Sequence, residues 1–257
     1  MDYKRLRYRA GIGRYIPKRL HPVLLYHHIG SNSRPSRSYL EPELFEEHLR
    51  HLRDGGYHVI YFADLVESIR AGRKLPRKTV SITFDDGWKD NYDLAVPLIA
   101  RYRFPVTVYL VSGRIGLKGY LSWKEIREME DAGFRFGAHG VSHPRLTEIP
   151  LSAARREIVD CKKALEDGLG KEVKSFCYPY GFVNRAVRNL VEEAGYRGAC
   201  CNAPGRLWPD VDLFAMKRVT MTYRMANPAL LLASLSGYYV FYKELWAGNK
   251  EYIMNDG

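Results

Sequence analysis

Cysteines and long apolar runs are scarce in this sequence. The few cysteines are Cys161, Cys177, Cys200 and Cys201. They include no CxxC pair, and the adjacent two would form only a strained disulfide with each other. This pattern argues against a disulfide framework and favours a reducing compartment. The longest uncharged stretch, residues 225–242, is interrupted by asparagine, proline, serine and glycine, so it falls short of a membrane span.

No signal peptide is visible either, because basic side chains interrupt the apolar residues of the first twenty positions. Acidic residues are absent between Asp2 and Glu41, where nine lysines or arginines supply most of the net charge of +11. This pattern predicts a peripheral contact of residues 1–20 with an anionic membrane; a solvated tail is the alternative. No nucleic-acid-binding motif accompanies the charges, so nucleic acid is not an expected partner. We expect a cytoplasmic protein, soluble or peripheral at the inner face of the membrane.

Strand and helix signals alternate from Pro22 onward, in a chain long enough at 257 residues for a large core. Apolar or β-branched runs predict strands at 23–26, 57–61, 79–84, 105–111, 134–138, 175–178 and 196–201. Helical spacing predicts helices at 41–53, 63–71, 91–102, 122–132, 152–169 and 184–194. Such alternation is typical of a parallel sheet or barrel whose strand ends meet at one rim. We expect a catalytic domain over 21–225, between a basic segment (1–20) and a helical, aromatic extension (226–257) packed on it.

The segment Thr83-Phe84-Asp85-Asp86-Gly87 closes one of these predicted strands. Consecutive aspartates at a strand end point in different directions, so one can bind a metal ion while the other accepts a proton from water. Gly87 permits a sharp turn beside them. An Asp-Asp-Gly sequence is also a common turn, and this segment alone does not decide between the two interpretations.

A second segment, His139-Gly140-Val141-Ser142-His143, follows another predicted strand. Histidines four apart lie on one face if the chain turns helically after the strand, and a metal ion could then bridge them. Histidines at this spacing also occur as ordinary core or surface residues. Together the two segments supply a spare carboxylate, a metal-binding carboxylate and two imidazoles, which is the set that a metal-dependent hydrolase needs.

This combination resembles the polysaccharide deacetylase family, the NodB-homology domain of carbohydrate esterase family 4, over about residues 22–220. The resemblance implies an α/β fold, a distorted (β/α) barrel, and an enzyme that removes N-acetyl groups from amino-sugar glycans. It implies Asp85 as the general base. It also implies Asp86, His139 and His143 as ligands of a divalent metal, most often zinc, with cobalt and nickel as alternatives.

The family's third motif, Arg-x-Pro-Tyr, is only partly matched, because Cys177 takes the place of its arginine. Pro179 and Tyr180 do match. The resemblance implies that Pro179 lies at the substrate and that the Tyr180 backbone N–H holds the oxyanion of the reaction. Another residue then has to orient Asp85, and Arg218 is the candidate; a solvent-facing arginine at this position is the alternative.

The family's late Leu-x-His motif is missing, because no histidine follows His143. Leu25-Tyr26-His27 supplies the pattern at the end of the first predicted strand. An early Tyr-His resembles the branch of the family that deacetylates poly-N-acetylglucosamine. We therefore predict His27 as the general acid that protonates the leaving amine, with His28 as the alternative, since a closed barrel can present a residue from its first strand as readily as from its last.

The sequence leaves the substrate contacts and the function itself open. Trp88 and Trp123 are candidates for stacking on a sugar ring, although aromatic residues are more often part of a core. The expected substrate is an N-acetylated polysaccharide or a lipid-linked sugar. A non-catalytic glycan- or lipid-binding protein on the same scaffold is the alternative function.

Overall fold

The structure is a computed structural model that describes residues 21–31, 38–202 and 212–237. The strands are β1 (Val23–Tyr26), β2 (His28–Ile29), β3 (Tyr39–Leu40), β4 (His58–Val59), β5 (Thr79–Phe84), β6 (Val106–Leu110), β7 (Phe134–Ala138), β8 (Ser175–Cys177), β9 (Gly198–Cys201), β10 (Met216–Lys217) and β11 (Val219–Thr220). The α-helices are α1 (Pro42–Asp54), α2 (Phe62–Arg70), α3 (Val96–Tyr102), α4 (Trp123–Asp131), α5 (Leu151–Leu169), α6 (Arg185–Glu193) and α7 (Pro228–Leu235). The predicted alternation of strands and helices is therefore present from β3 to β9.

Within the described residues, a parallel sheet runs in the order β10-β9-β8-β7-β6-β5-β1-β11, and β4 joins it beside β5. The strands at its two ends, β10 and β11, are halves of one strand interrupted at Arg218. The first half pairs with β9 and the second half pairs with β1. The sheet is thus nearly closed, which confirms the predicted distorted (β/α) barrel.

The two sides of the sheet carry different side chains, because successive residues of a strand face opposite sides. One set, which includes Ile82 and Phe176, packs with the helices in the larger core. The other set, which includes Tyr109 and Cys200, forms a smaller cluster on the inner side. The inner register of β1, β5 and β7 continues to the first residue after each strand. These three residues are His27, Asp85 and His139.

Most predicted helices have the expected bounds, and local sequence explains where they begin. At α4, Ser122 and Glu125 form a capping box, in which each side chain accepts a backbone N–H of the other residue. The predicted helix 91–102 is instead a π-helical turn, Asn91–Ala95, followed by α3. Pro97 lies at this junction, and because it has no N–H it cannot continue the regular hydrogen-bond ladder.

The C-terminal part adds strands β10 and β11, which the sequence patterns did not predict, and helix α7, which lies in the segment 226–257 that was expected to be helical. Asn227 caps α7 by accepting the backbone N–H of Ala229 at 2.9 Å. Leu231 and Leu235 of this helix are buried in the larger core, so its described part packs on the barrel. The predicted basic segment 1–20 and the extension beyond 237 lie outside the described residues. None of the described helices combines the length and hydropathy needed to cross a membrane.

Candidate active site

The two aspartates of the first motif follow β5 directly and have different surroundings. The Asp85 N–H donates to the Tyr26 carbonyl oxygen at 3.1 Å, which continues the pairing with β1. Asp86 and Gly87 are left-handed, with φ of 72° and 76°, so the chain turns sharply as the glycine predicted. Asp85 is buried, with 2% of its surface exposed. Asp85 continues the strand, whereas Asp86 lies in the turn, so the two carboxylates have different neighbours. They can therefore have different roles.

Arg218 binds the Asp85 carboxylate from the break between β10 and β11. Its Nη1 and Nη2 donate to Asp85 Oδ1 and Oδ2 at 2.7 and 2.5 Å, and both side chains are buried. Nη1 also donates to Thr83 Oγ1 at 3.2 Å, and Nε donates to Asn202 Oδ1 at 3.0 Å. Burial raises the pKa of Asp85, but the adjacent guanidinium outweighs it and holds this pKa below its usual value. The arginine is therefore not solvent-facing.

Cys177 stands between these groups, at the position where the family motif has arginine. Arg218 Nη2 donates to Cys177 Sγ at 3.0 Å, and the thiol donates to Asp85 Oδ2 at 3.5 Å. Burial raises the pKa of the Cys177 thiol well above its ordinary value, so the sulfur stays protonated. The cysteine thus leaves room for a guanidinium that arrives from another strand.

Asp86, His139 and His143 bring one ligand atom each to a common point. The three atoms lie within 4.8 Å of one another. His143 Nε2 is 3.2 Å from both Asp86 Oδ1 and His139 Nε2, and His139 Nε2 is 3.6 Å from Asp86 Oδ1. The structure therefore assembles the three predicted ligands.

The donor set at this point fits a divalent cation. Asp86 Oδ1 is buried and has no aligned hydrogen-bond donor among the described residues. His139 Nδ1 donates to the Cys177 carbonyl oxygen at 2.7 Å, which directs the lone pair of its Nε2 at the cluster. Burial lowers the pKa of His139 to about 4, so the ring is neutral, as a metal ligand must be. Burial would raise the pKa of Asp86, but His143 and His139 outweigh it and keep the carboxylate ionised.

The chain between His139 and His143 is a loop and not the helical turn that was considered from their spacing. Gly140 and His143 are left-handed, with φ of 81° and 68°. Glu157 of α5 explains this path, because its Oε2 accepts the N–H groups of Val141 at 2.7 Å and Ser142 at 2.9 Å, and its Oε1 accepts the Ser142 hydroxyl at 2.6 Å. Sequence reasoning missed Glu157, since it lies on a helix and no motif marks it.

His27 occupies the position that its strand predicts, beside the first aspartate. Tyr26 pairs with Phe84, so His27 and Asp85 are the first residues after two neighbouring strands. Burial lowers the pKa of His27, while the charges of Asp85 and Asp86 act in the opposite direction. His28 instead places its Nδ1 2.6 Å from Asp90 Oδ2. The structure therefore leaves His27, rather than His28, next to the aspartates.

Tyr180 lies in a short turn, Pro179–Gly181, directly after β8. Its backbone is left-handed, with φ of 59°, and the residue is 54% exposed. The centroid of its ring lies 4.7 Å from that of the His143 ring. This places the Tyr180 side chain beside His143, one of the predicted metal ligands. Pro179 is buried and packs near Gly140, and its contact with substrate stays a prediction.

The two tryptophans predicted to stack on sugars are occupied by other contacts. The Trp88 ring lies between His28 and Tyr120, with centroid distances of 4.2 and 4.4 Å. Trp123 packs its ring against Gly168 of α5, where an added Cβ would lie 2.1 Å from the indole. Rings therefore cover both faces of Trp88, which contradicts sugar stacking there. Trp123 is half-buried against α5, and its contact with a sugar stays a prediction.

Residues 72–199 match the sequence profile described as polysaccharide deacetylase. The chain belongs to the polysaccharide deacetylase family. The matched region contains Asp85, Asp86, His139, His143 and Tyr180. His27 and Arg218 lie outside it, on the two strands that flank the matched region in the barrel.

Relatives extend the similarity beyond the matched region of this deacetylase-family chain. YxkH of Bacillus subtilis (strain 168) is 29% identical over 209 residues, which cover 81% of the chain and 74% of YxkH. A poly-β-1,6-N-acetyl-D-glucosamine N-deacetylase of Staphylococcus aureus (strain MSSA476) is 24% identical over 182 residues, which cover 65% of the chain. The chain spans only 62% of that enzyme's length. The branch of the family named for poly-N-acetylglucosamine is thus represented among its relatives.

Solved structures support the family fold. The Streptococcus pyogenes deacetylase PplD, in complex with acetate, superposes with a TM-score of 0.76 at 25% identity and covers 84% of the chain and 97% of PplD. BC0361, a polysaccharide deacetylase from Bacillus cereus, gives a TM-score of 0.70 at 28% identity over 83% of the chain and 68% of BC0361. The barrel of this deacetylase-family chain is therefore the barrel of its family.

Proposed function

We propose that this chain is a metal-dependent deacetylase, which hydrolyses the acetamido group of an N-acetylated amino-sugar glycan to acetate and a free amine. The observation that carries the proposal is the meeting of two groups at one rim of the barrel. One is the ligand cluster of Asp86, His139 and His143. The other is the Asp85 carboxylate held by Arg218. The first suits a divalent cation, and the second suits proton transfer from water.

Asp86, His139 and His143 would hold the cation. Two imidazoles and one carboxylate are a donor set of catalytic zinc sites, so zinc is the expected ion, with cobalt and nickel as alternatives. When bound, the cation would polarise the acetyl carbonyl group and lower the pKa of water. The remaining chemistry belongs to side chains and backbone groups of the protein.

Asp85 takes the proton from the attacking water. The water oxygen bonds to the acetyl carbon, and the electron pair of the carbonyl double bond moves to its oxygen. The Tyr180 backbone N–H holds the resulting oxyanion. Because Arg218 binds both oxygens of Asp85, the plane of the carboxylate is fixed before the substrate arrives, and no reorganisation is needed at the moment of reaction.

His27 supplies the proton for the second half of the reaction. The bond between the acetyl carbon and the nitrogen breaks, its electron pair stays on nitrogen, and the nitrogen takes a proton from His27. Acetate and a free amine leave. Burial lowers the pKa of His27, and the charges of Asp85 and Asp86 offset this only in part, so a protonated His27 gives up its proton readily.

A shallow groove beside the ligand cluster supports a sugar as substrate. Its cavity volume is about 330 Å³, and its lining includes Arg145, Glu148 and Tyr180. The Arg145 guanidinium lies 5.2 Å from the centroid of the exposed Tyr180 ring, and its Nη1 donates to Glu148 Oε1 at 3.0 Å. An exposed ring next to charged hydrogen-bonding groups suits a sugar, which has an apolar face and hydroxyl edges. Together with the staphylococcal relative, this favours a β-1,6-linked N-acetylglucosamine glycan.

The test is acetate and amine release from oligomers of β-1,6-N-acetylglucosamine by zinc-loaded protein. We expect release by the wild-type protein. We expect Asp85→Asn to lower turnover at least about 100-fold while retaining its metal, and His139→Ala to lose the metal. Retained activity in both variants would refute the assigned roles.

The same assay separates the alternatives. Metal-loaded wild-type protein that binds the oligomers without releasing acetate would be a glycan-binding protein on this scaffold. Release from N-acetylated lipid-linked sugars but not from oligomers would move the substrate to the second class expected from the sequence. The membrane contact proposed for residues 1–20 lies outside the described residues, and it is tested by sedimentation of the full chain with anionic liposomes.

A further inference from the structure

Trp88 is the centre of a column of stacked rings at the edge of the site. His28 stacks on Tyr39, with ring centroids 4.1 Å apart and planes 3° apart. The centroid of the His28 ring also lies 4.2 Å from that of Trp88. Tyr120 covers the second face of Trp88 at 4.4 Å, with planes 23° apart. The indole is therefore held between two rings and has little freedom to rotate.

Polar contacts fix the two rings that flank Trp88, which are His28 and Tyr120. His28 Nδ1 lies 2.6 Å from Asp90 Oδ2, and Asp90 Oδ1 accepts the Asn91 side-chain N–H at 2.8 Å. At the other end, Arg114 Nη1 donates to the Tyr120 hydroxyl at 2.9 Å. Tyr120 also bridges to the backbone of Trp88 in antiparallel fashion. Stacking and hydrogen bonding together set the direction of the indole N–H.

That N–H is directed at the metal-ligand cluster. Trp88 Nε1 donates to Asp86 Oδ2 at 2.9 Å. The other carboxylate oxygen, Oδ1, faces the Nε2 atoms of His143 and His139. With Oδ2 engaged, the carboxylate presents a single oxygen to the cluster. A partner of this kind fixes the orientation of a ligand and raises the affinity of a site for its metal.

We propose that Trp88 is a positioning residue for the metal site: its N–H fixes Asp86 for one-oxygen binding, and the column of His28 and Tyr120 holds the indole in place. This inference rests on the proposed metal-dependent function. It also explains why Trp88 is not a sugar platform, since both of its faces are used to hold its edge toward Asp86.

The experiment compares zinc dissociation constants, measured by competition with a chromophoric chelator, for the wild-type protein, Trp88→Phe and Trp123→Phe. The phenylalanine at 88 retains a ring between His28 and Tyr120 but has no N–H. We expect Trp88→Phe to bind zinc about 10- to 100-fold more weakly, and Trp123→Phe, which changes a ring packed on α5, to match the wild type. Saturating zinc should restore most of the turnover of Trp88→Phe.

Zinc affinity of Trp88→Phe within about twofold of the wild type would overturn the proposal, as would a loss of turnover that saturating zinc does not restore. Thermal unfolding of the chelator-treated variants checks that each is folded. If Trp88→Phe does not fold, His28→Ala decides, because it removes one supporting ring and keeps the N–H. A severalfold weaker affinity then supports the proposal, and an unchanged affinity overturns it. A wild-type protein without zinc affinity would instead refute the proposed function itself.

Discussion

Both oxygens of Asp85 accept hydrogen bonds from Arg218, at 2.7 and 2.5 Å, across the inside of the barrel. The arginine reaches this point because the strand that closes the sheet is interrupted at residue 218. In the family motif an arginine precedes the Pro-Tyr pair, and here Cys177 stands at that position. The chain thus supplies the same kind of charge from a different strand.

We expect Arg218→Lys to lower turnover about 10- to 100-fold and to leave zinc content unchanged. A lysine ammonium cannot make the paired contacts of a planar guanidinium, so the Asp85 carboxylate loses its fixed plane. Steady-state kinetics and metal analysis give the result. Arg188→Lys is the matched control, because Arg188 also binds one carboxylate with two nitrogens, at Asp212. Equal turnover of the two variants would contradict the role of Arg218.

The position of Cys177 suggests an exchange experiment. We expect Arg218→Ala to be nearly inactive and to lose about 3 to 5 kcal/mol of stability, because the buried Asp85 is left unpaired. The double variant Cys177→Arg/Arg218→Ala should regain part of both properties, since Cys177 Sγ lies 3.0 Å from the guanidinium that is removed. Activity and urea unfolding measure the recovery. A folded double variant as inactive as Arg218→Ala would show that position 177 does not substitute for position 218.

Glu157 gives a prediction about the loop between the histidines. Without its carboxylate, the N–H groups of Val141 and Ser142 lose their acceptor, so Glu157→Ala should exchange these two amide hydrogens faster and bind zinc about 10-fold more weakly. Hydrogen exchange and zinc competition report the two effects. Glu193→Ala, which removes an exposed carboxylate paired with Arg155, is the control. Unchanged exchange at both amides would rule out the role of Glu157 in the loop.

If the groove beside Tyr180 binds the glycan, a change in its lining should affect KM and leave kcat nearly unchanged. Arg145→Ala should raise KM for glycan oligomers about 5- to 10-fold and change kcat little, because Arg145 lines the groove but is not assigned a role in the reaction. Arg155→Ala, on the exposed side of α5, should match the wild type. An unchanged KM for long and short oligomers alike would remove the groove from the substrate path.

His48 predicts how stability depends on pH. Tyr26 Oη lies 3.3 Å from its Nδ1, its Nε2 lies 3.4 Å from the Met225 carbonyl oxygen, and burial lowers its pKa from 6.5 to about 4. Between about pH 6.5 and 4, His48 is therefore protonated in the unfolded chain but neutral in the folded protein. The free energy of unfolding should fall as the pH drops through this range. The contribution is at most about 3 kcal/mol.

Urea unfolding at several pH values, with a chelator present, measures this dependence. His48→Gln should show a smaller loss of stability over the same pH range than the wild type. If the free energy of unfolding falls equally with pH in both proteins, groups other than His48 cause the loss of stability in acid.

Sequence alone predicted much of this molecule, and the reasons differ from element to element. Strand β5 and strand β7 have the predicted bounds because apolar and β-branched residues repeat clearly there. The three predicted metal ligands come from two motifs at strand ends, and the structure brings them together. Arg218 was suggested only by elimination, and its contact with Asp85 depends on the closure of the sheet, which no local pattern encodes.

The failures share one physical cause, which is that composition does not tell what covers a side chain. Trp88 has the right chemistry for sugars, but His28 and Tyr120 cover the two faces of its ring. Glu157 has no motif because its partners are backbone N–H groups. The helical turn expected after β7 does not form because Gly140 and His143 adopt left-handed conformations that the carboxylate of Glu157 stabilises.

Asp86, His143 and Tyr180 all have positive φ angles although none is glycine. Each such conformation costs on the order of 1 kcal/mol or more. A library of this chain selected only for heat resistance should therefore drift toward glycine or asparagine at these positions. A library selected for catalysis should keep the original residues. The difference in melting temperature between the two libraries would measure the stability that these three conformations cost at the site.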